Sequence, residues 1–577
     1  MIAPDTGKAR LDSLKREADV RDSIAKFRLG DTVRAPFARS EEPRSLDIGR
    51  PLAWNREQLM TSGALSLADL LDRVPGATGF RASWMMDQEA ASFLGDFARV
   101  RVFIDGLPYA PPDRDGRGVL DLNAVQLWAF ERLVIERGAA ELRLYLRTAR
   151  HNLTVPVSRV DVFTGDQDVN IFRGFFAQRF GPGFGVEASG ENLSLSNTRT
   201  GGDGSRRAGV VRLGWAGGRW SVDLVHNFTD HSRRSQVRSL PYPTWPAFNP
   251  SSSQGYARVA WGDPDVGTWM QAIAATSAFA SPSAELSSTA FDTNRVFDRR
   301  NAIYSLMGGT EWSGLRISAG MRWHSVQGTS FASPLARVSY DRGWIALQTY
   351  GERSHEDSTT HGDVSLRLLP RPWLALGASY GGSGTQATGG KRARGYASRA
   401  EVGLRVRAEL WLSGGILARD SAFLRAPYRF DSTLASVMVP AAQGSFVQLK
   451  GRVYNDIFID LTGTAWDQVG AYRPHYQTRA ELFLQTRWLS RFPSGAFGLL
   501  ASLSHDYREP TAFPFDSGQL IRTSFGRSVN ARLEVRILSG TVSWQLLNLA
   551  GDRHDQLPGA LRPRSVSVYG VRWDFRN

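Results

Sequence analysis

The chain has 577 residues, too many for one ordinary soluble domain, so at least two structural parts are expected. Lys and Arg outnumber Asp and Glu by 70 to 56, a formal net charge of +14, but the basic residues are spread along the chain beside acids, which argues against a nucleic-acid surface. There are no cysteines, which excludes disulfides and thiolate metal sites, and no run of about 18 apolar residues that would predict a transmembrane helix.

The first segment, residues 1–50, is highly charged and irregular. Its opening sequence, MIAPDTGKAR, has no apolar stretch of the signal-peptide type. Residues 8–28 have loose helical spacing of their apolar side chains, so they form either an amphipathic helix or a partly helical tail.

The next segment, residues 51–157, is predicted to be a small α+β domain. LSLADLLDRV (65–74) has helical spacing and ends at a Pro-Gly pair, which terminates helices. VRVFIDG (100–106) is an alternating strand that runs into an Asp-Gly turn, and FERLVIERG (130–138) is a second strand closed by glycine.

From residue 158 to residue 577, segment after segment alternates apolar and polar residues with a period of two. In residues 400–410 the apolar side chains of Val402, Leu404 and Val406 share one face, opposite charged residues. The same division recurs in 479–488, in 528–537 and in the last strand, whose apolar face holds Tyr569, Val571, Trp573 and Phe575. A soluble sandwich also alternates, but an apolar face of about 10 residues opposite a charged face is typical of a membrane-spanning barrel strand.

The connections between these strands alternate in length. Tight ones at 181–185, 216–219, 341–343, 370–372, 492–495 and 539–540 lie between longer ones at 229–255, 281–301, 384–398, 418–444 and 507–524. Short periplasmic turns and longer outer loops are typical of an up-and-down outer-membrane barrel. The segment is long enough for about 22 strands, so the sequence predicts an all-β transmembrane antiparallel barrel, wide enough for a plugged lumen, with both ends facing the periplasm.

Three segments of the N-terminal domain and the C-terminus resemble the TonB-dependent outer-membrane receptors. The segments are LSLADLLDRVPG (65–76), VRVFIDGLPY (100–109) and ERLVIERG (131–138), in the order and about the spacing of the family, and 548–575 resembles its last hairpin and strand. The motif residues of the plug are Asp105, Gly106, Arg137 and Gly138.

The resemblance implies a plug domain inside the lumen and a protein of the bacterial outer membrane that has lost its signal peptide. It implies contact with lipid and lipopolysaccharide, coupling to TonB, and a final strand (Tyr569, Val571, Trp573 and Phe575) that assists barrel insertion. The expected division is a periplasmic tail (1–50), a plug (51–157) and a barrel (158–577).

Two features depart from the family. Where the family has a Gly-rich stretch after the ERG element, this chain has AAELRLYLRT (139–148), so a shortened plug is expected and plug movement is in question. The best candidate for the TonB box, which pairs with TonB by strand addition, is Asp31, Thr32 and Val33, but Arg34 stands where the family usually has an apolar residue; the alternative is a polar linker.

No sequence motif for catalysis is found, and no cofactor is expected. His355, Glu356 and Asp357, with His361 and Asp363, are placed in an outer loop; these residue types can bind a divalent metal, but a solvated loop is the alternative preferred, so no metal site is predicted.

Two further groups have open readings. The aromatic residues Tyr242, Trp245 and Phe248 of loop 229–255 either stack on a ligand or pack the loop onto the barrel rim. A basic stretch either forms a functional patch or pairs with inward carboxylates; its residues are Arg143, Arg147, Arg150 and Arg159.

The function expected from the sequence is binding and import of a small ligand across the outer membrane in the manner of TonB-dependent receptors. The alternative is a barrel that transports nothing and anchors a partner protein in a larger envelope complex. A surface enzyme or adhesin is a third reading, and no nucleic-acid partner is expected.

Overall fold

The computed structural model describes residues 33–36, 42–43 and 45–576, with gaps at 83, 88, 110–119, 182, 197–201, 240–241, 243, 246, 248, 263–266, 282–296, 327–328, 355–358, 387–391 and 425–433. Residues 8–28, for which an amphipathic helix and a partly helical tail were both open, lie outside the described residues. Within the described part, no helix is both long and apolar enough to cross a membrane.

The N-terminal domain is a five-stranded sheet with short helices. Its elements are β1 (Ala53–Asn55), α1 (Arg56–Thr61), α2 (Leu67–Leu71), β2 (Ala77–Arg81), β3 (Glu89–Phe93), β4 (Val100–Ile104), β5 (Leu107–Tyr109), β6 (Phe130–Arg137) and β7 (Leu142–Thr148). The sheet has the order β1-β6-β7-β4-β5 and is antiparallel except for the β4–β7 pair, while β2 and β3 form a separate hairpin. The predicted helix and both predicted strands are confirmed, and β7 lies within the glycine-free segment 139–148.

Helix α2 begins where its sequence predicts. The Asp69 carboxylate accepts hydrogen bonds from the backbone N–H groups of Leu65 and Ser66, which the helix itself leaves unpaired. Leu67, Leu70 and other leucines of the helix and sheet are fully buried in the core of the domain. Arg81 then ties β2 to α2 through Asp69, at 2.6 Å.

The remainder of the chain closes into an antiparallel barrel of 22 strands. The first eleven are β8 (Val157–Gly165), β9 (Val169–Phe180), β10 (Phe184–Leu195), β11 (Gly204–Gly217), β12 (Trp220–Arg233), β13 (Ser251–Gly262), β14 (Trp269–Ser281), β15 (Phe297–Trp312), β16 (Leu315–Val326), β17 (Thr329–Asp341) and β18 (Ile345–Ser354). The others are β19 (Thr359–Arg371), β20 (Leu374–Gln386), β21 (Arg392–Arg407), β22 (Leu410–Arg419), β25 (Ala442–Tyr454), β26 (Ile457–Trp466), β27 (Tyr476–Thr486), β28 (Phe497–Arg508), β31 (Gly526–Ile537), β32 (Gly540–Leu547) and β33 (Val566–Arg576). Two loop hairpins interrupt the numbering: β23 (Ala422–Leu424) with β24 (Val437–Val439), and β29 (Ala512–Pro514) with β30 (Leu520–Arg522).

The period-two alternation separates an outer apolar face from an inner polar face. On β21, Val402 and Leu404 are 46% and 43% exposed on the outside, whereas the adjacent Glu401 points inward and is buried. Exposed aromatic residues form a band near each end of the wall, as lipid interfaces favour. The band at the end where β8 begins contains Trp220, Trp312, Trp344 and Trp373, and the band at the other end contains Phe228, Trp323, Tyr396 and Tyr569.

The end at which β8 begins and β33 ends is called the turn end, and the opposite end the loop end. Most connections at the turn end are tight, such as 218–219, 313–314 and 538–539, while 234–250, 420–441, 509–525 and 548–565 at the loop end are long. The predicted difference in length between the connections at the two ends is nevertheless not uniform. The connection 487–496 at the turn end is long, and the connection 166–168 at the loop end is short. Several strands also extend into the predicted loops, since their polar ends continue the hydrogen-bonded ladder.

Candidate functional site: the interface between plug and barrel

The Asp105-Gly106 turn, between β4 and β5, is pressed against the barrel wall. Both residues have positive φ (51° and 89°), as this tight turn requires. Asp105 is 1% exposed and accepts hydrogen bonds from the Thr148 backbone N–H at 3.1 Å and from the Tyr256 hydroxyl at 2.7 Å. Burial alone would raise the pKa of Asp105, but Arg212 and Arg150, each at 3.3 Å, hold that pKa well below its usual range.

The Arg137-Gly138 pair, at the end of β6, makes a second anchor. The Arg137 guanidinium donates to the Glu401 carboxylate of β21 at 2.7 Å. A Cβ on Gly138 would lie 2.8 Å from the Asp363 carboxylate, so this position needs a residue without one. Asp363 in turn accepts hydrogen bonds from the backbone N–H groups of Ala139 and Ala140 at 2.9 and 3.0 Å.

A third anchor lies between these two, where Glu136 of β6 meets the barrel. The Arg337 guanidinium donates to both Glu136 oxygens at 2.9 Å, and the Gln348 amide also donates to this carboxylate. Burial alone would raise the pKa of Glu136, but Arg143 and Arg337 outweigh it and lower the pKa to about 2. The three anchors tie the plug to the β11–β21 wall through buried charges.

The prediction that His361 and Asp363 lie in an outer loop is wrong. Both are on β19 inside the barrel, where His361 contacts Glu141 of the plug and Asp363 pairs with Arg143. Residues 355–357 lie outside the described residues. Among the residues that the structure describes, no group of three or more His, Cys, Asp or Glu side chains could hold a metal ion.

The basic stretch forms ion pairs, but only Arg143 and Arg159 pair with inward carboxylates of the barrel, as one of the two readings had it. Arg143 binds an inward carboxylate of the barrel, as described above. The remaining pairs are Arg147 with Glu131, Arg150 with Asp105, and Arg159 with Asp161. Arg143 and Arg147 are part of β7, so they belong to the sheet of the plug rather than to a linker.

At the loop end, an aromatic cluster that the sequence did not predict packs the plug against two barrel loops. It consists of Phe80 and Phe97 of the plug and Tyr472 and Phe513 of the barrel loops, with neighbouring rings 5.4–5.7 Å apart. All four side chains are at most 4% exposed. The part of the plug around Phe80 and Phe97 is therefore covered by barrel loops.

The ligand-loop candidates lie beside this outer aromatic cluster. Trp245 is 4% exposed and belongs to the same hydrophobic core, and the Arg238 guanidinium lies 4.8 Å from both the Trp245 and Tyr242 ring centroids. The rings are packed on the rim in this structure, and a role in ligand contact stays a prediction. Phe248 lies outside the described residues.

The segment 33–36 lies at the turn end, against the barrel. The Val33 N–H donates to the Asn152 carbonyl at 2.8 Å, and the Arg34 guanidinium donates to the carbonyls of Gly218 and Gly262 in two turns. Asp31 and Thr32 lie outside the described residues. The arginine that departs from the family pattern thus holds this segment to the rim.

The last strand closes the barrel. β33 pairs with β8, with Trp573 opposite Val160 and Phe575 opposite Ser158. Tyr569, Trp573 and Phe575 are 45–52% exposed on the outer face. This places them where lipid would contact them, and their role in insertion stays a prediction.

Comparisons with known proteins were consistent with this architecture. Residues 50–149 match the family model of the TonB-dependent Receptor Plug Domain. None of the curated proteins compared matches the chain.

Solved structures share the fold at low sequence identity. The siderophore receptor PirA from Acinetobacter baumannii is 10% identical, with a TM-score of 0.67 over 91% of this chain and 98% of that one. The FrpB iron transporter from Neisseria meningitidis is 10% identical, with a TM-score of 0.69 over 91% of this chain and 99% of that one. BauA, the ferric preacinetobactin receptor from Acinetobacter baumannii, is 13% identical, with a TM-score of 0.63 over 94% of this chain and 100% of that one. The chain is built as TonB-dependent receptors are, with a plug domain of that family enclosed in a closed 22-stranded β-barrel.

Proposed function

We propose that this protein binds a ligand at the outer surface of a Gram-negative bacterium and imports it across the outer membrane with energy supplied through TonB. The observation that carries the proposal is a lumen filled by a separate plug domain, because a barrel that only anchors something has no need of a removable obstruction. For import in this direction, the turn end of the barrel faces the periplasm and the loop end faces the outside of the cell. The names of the similar proteins, a siderophore receptor, a ferric preacinetobactin receptor and an iron transporter, support transport rather than catalysis.

The coupling to TonB is tested on the segment around Val33. Strand addition needs backbone N–H groups, so Val33→Pro should abolish binding of a peptide of residues 25–45 to the periplasmic domain of TonB, while Val33→Ala should preserve it. In cells, the proline variant should lose uptake of the iron chelates or other nutrients that the wild type supports. No binding of the wild-type peptide at high micromolar concentration, together with unchanged uptake by Val33→Pro, would contradict the proposal.

A second candidate is a barrel that anchors a partner complex and transports nothing. It is favoured by the hydrogen bonds from the Arg34 guanidinium to the carbonyls of Gly218 and Gly262. These bonds hold the candidate TonB-binding segment against the rim of the barrel. Under this reading, deletion of residues 1–50 would leave nutrient uptake unchanged and a partner would remain bound to the barrel. Affinity purification from the deletion strain distinguishes the two candidates.

A further inference from the structure

A cavity lies between the plug and the loop-end halves of β11–β16. It encloses about 1550 Å³, including its opening to solvent. The plug bounds it mainly with the segment 120–130, which leads into β6, and the barrel bounds it with side chains such as Asn227 of β12 and Ser277 of β14. In the orientation proposed above, this cavity lies in the half of the lumen nearer the outside of the cell.

The lining of this cavity carries almost no charge. Histidines aside, Asp121 and Arg206 are its only charged residues within the described part of the chain. The Asp121 carboxylate accepts hydrogen bonds from the backbone N–H groups of Glu89 and Asn123, at 3.1 and 3.0 Å. The Arg206 guanidinium pairs with Glu191 at 2.8 Å. Both charges are therefore engaged by neighbouring groups of the protein.

A second cavity, on the opposite side of the plug, has the opposite character. It lies beside β27, β28 and β31, and its described lining contains eight arginines and six carboxylates. An ion that leaves water needs an opposite charge or hydrogen bonds in return, and the β11–β16 cavity offers no free charge. The two cavities therefore suit molecules of different charge.

The barrel wall around the β11–β16 cavity is apolar on its inner face, which is polar elsewhere in the lumen. Val225 and Ile303 are buried in one cluster with Leu107 of the plug, and Ala208 packs with Trp128 of the plug. The polar side chains of the lining are amides and hydroxyls, in addition to the histidines: Gln126, Asn227, Thr229, Ser252, Ser253, Gln254, Ser277 and Asn301. An apolar lining with a few neutral polar groups is the usual composition of a small-molecule site.

Two buried polar atoms of this lining have no partner among the residues that the structure describes. Trp128 is 5% exposed, and its indole N–H donates no hydrogen bond. Gln254 is 8% exposed, and its side-chain oxygen accepts none. Because nearly all buried polar groups in proteins are hydrogen-bonded, this donor and this acceptor point to a molecule that pairs with them.

We propose that the β11–β16 cavity binds an uncharged small molecule that has an apolar ring or chain, an acceptor for the Trp128 N–H and a donor for the Gln254 oxygen. The charge class follows from the lining, and the hydrogen-bonding groups follow from the two unpaired atoms. The inference rests on the proposed function only in taking the bound molecule as the imported one. Binding itself requires neither TonB nor movement of the plug.

The charge class is tested with two fluorescent probes that share one ring system. N-phenyl-1-naphthylamine is uncharged and has an N–H donor, and 8-anilinonaphthalene-1-sulfonate is the same molecule with an added sulfonate. Full-length protein in amphipol should bind the uncharged probe saturably and about tenfold more tightly than the sulfonate, which would lose its hydration without meeting an opposite charge. Equal affinity for the two probes, or no saturable binding of the uncharged probe, would overturn the proposal.

The place of binding is tested with variants on the two sides of the plug. Ser277→Phe fills the β11–β16 cavity and should remove the saturable binding, whereas the matched control Ser502→Phe, in the second cavity, should keep it. Gln254→Met keeps the length of the side chain but removes the acceptor, so it should weaken binding of the uncharged probe by roughly tenfold. Heat-modifiable gel mobility shows that each variant is folded, and saturable binding retained by folded Ser277→Phe would place the probe elsewhere and refute the site.

A second measurement uses the absence of native cysteines. In Ser277→Cys, a sulfonate-bearing and a trimethylammonium-bearing methanethiosulfonate should each react roughly tenfold more slowly than uncharged methyl methanethiosulfonate, after correction for their rates with free cysteine. In Ser502→Cys, within the charged cavity, the three corrected rates should be similar. A charged reagent that reacts with Ser277→Cys as fast as the uncharged one contradicts the assigned charge class. These assays involve no uptake, so the site and the TonB-dependent import tested by Val33→Pro can fail independently.

Discussion

Neutralising Asp105 should loosen the plug while leaving the barrel closed. In Asp105→Asn the amide can still accept hydrogen bonds, but Arg212, whose side chain is 2% exposed, loses a charge partner. Removing one member of a buried ion pair costs about 3–5 kcal/mol, and the remaining hydrogen bonds place this variant near the lower value. In hydrogen exchange, the β7 amides should then exchange about 100-fold faster, since 1.4 kcal/mol corresponds to a factor of ten.

The matched control for this prediction is Glu131→Gln. Its partner Arg147 lies 2.6 Å away, but the two side chains are 22% and 35% exposed, so the loss should stay below about 1 kcal/mol. Heat-modifiable gel mobility should be unchanged in both variants, because the barrel ladder is intact. Equal exchange rates in the β7 amides of the two variants would refute the argument that burial makes the Asp105 contacts strong.

Three further predictions concern the lipid-facing side of the barrel wall, the buried carboxylate of Glu89 and the aromatic cluster at the loop end. Leu482→Arg, on the lipid-facing side of β27, should destabilise the barrel by about 2–4 kcal/mol in refolding titrations with lipid vesicles, whereas Ile537→Arg at the turn end should cost about 1 kcal/mol or less. Burial raises the pKa of Glu89 from 4.5 to about 7, so between pH 4.5 and pH 7 the native plug keeps a proton that the unfolded chain has released. The free energy of unfolding of the plug should therefore fall by roughly 3 kcal/mol as the pH rises from 4.5 to 7. Glu89→Gln should abolish this pH dependence, measured by hydrogen exchange at several pH values. Phe513→Ala should release the loop 509–525 at a local cost of about 3–5 kcal/mol, seen as new protease cleavage there, and an unchanged cleavage pattern would contradict the packing role of its ring.

The barrel was predictable because its strands carry a local signal. Each strand must present lipid with apolar residues and the lumen with polar ones, so the pattern in 400–410 or 528–537 is visible without knowledge of the neighbours. The signal fails where both faces become polar or small. At His361 and Asp363 the alternation continues, but Gly362 and the surrounding Thr residues lack apolar side chains, and the segment reads as a loop.

The interface between plug and barrel was not predictable in the same way. Arg143 and Asp363 are 220 positions apart in the sequence, and neither has a neighbour pattern that identifies the other. Asp105 was recognised as a turn residue and as part of the plug motif, but its contacts with Arg212 and Tyr256 were not, because these two residues come from strands far along the chain. The hydrogen bond from Arg532 to the Met60 carbonyl was missed for the same reason, because every residue possesses a carbonyl group.

The pairing of β33 with β8 sets the order of events when the protein is made. Val568 lies opposite Gly165, so the ladder cannot close until almost the whole chain is present. The plug precedes β8 in the chain and is synthesised first, yet its anchors at Arg212, Arg337 and Asp363 exist only once the middle strands have formed. If the barrel sheet forms around a plug that has already folded, the β33–β8 pairing is the last to form. A damaged last strand would then prevent closure of the barrel and would leave the fold of the plug unchanged.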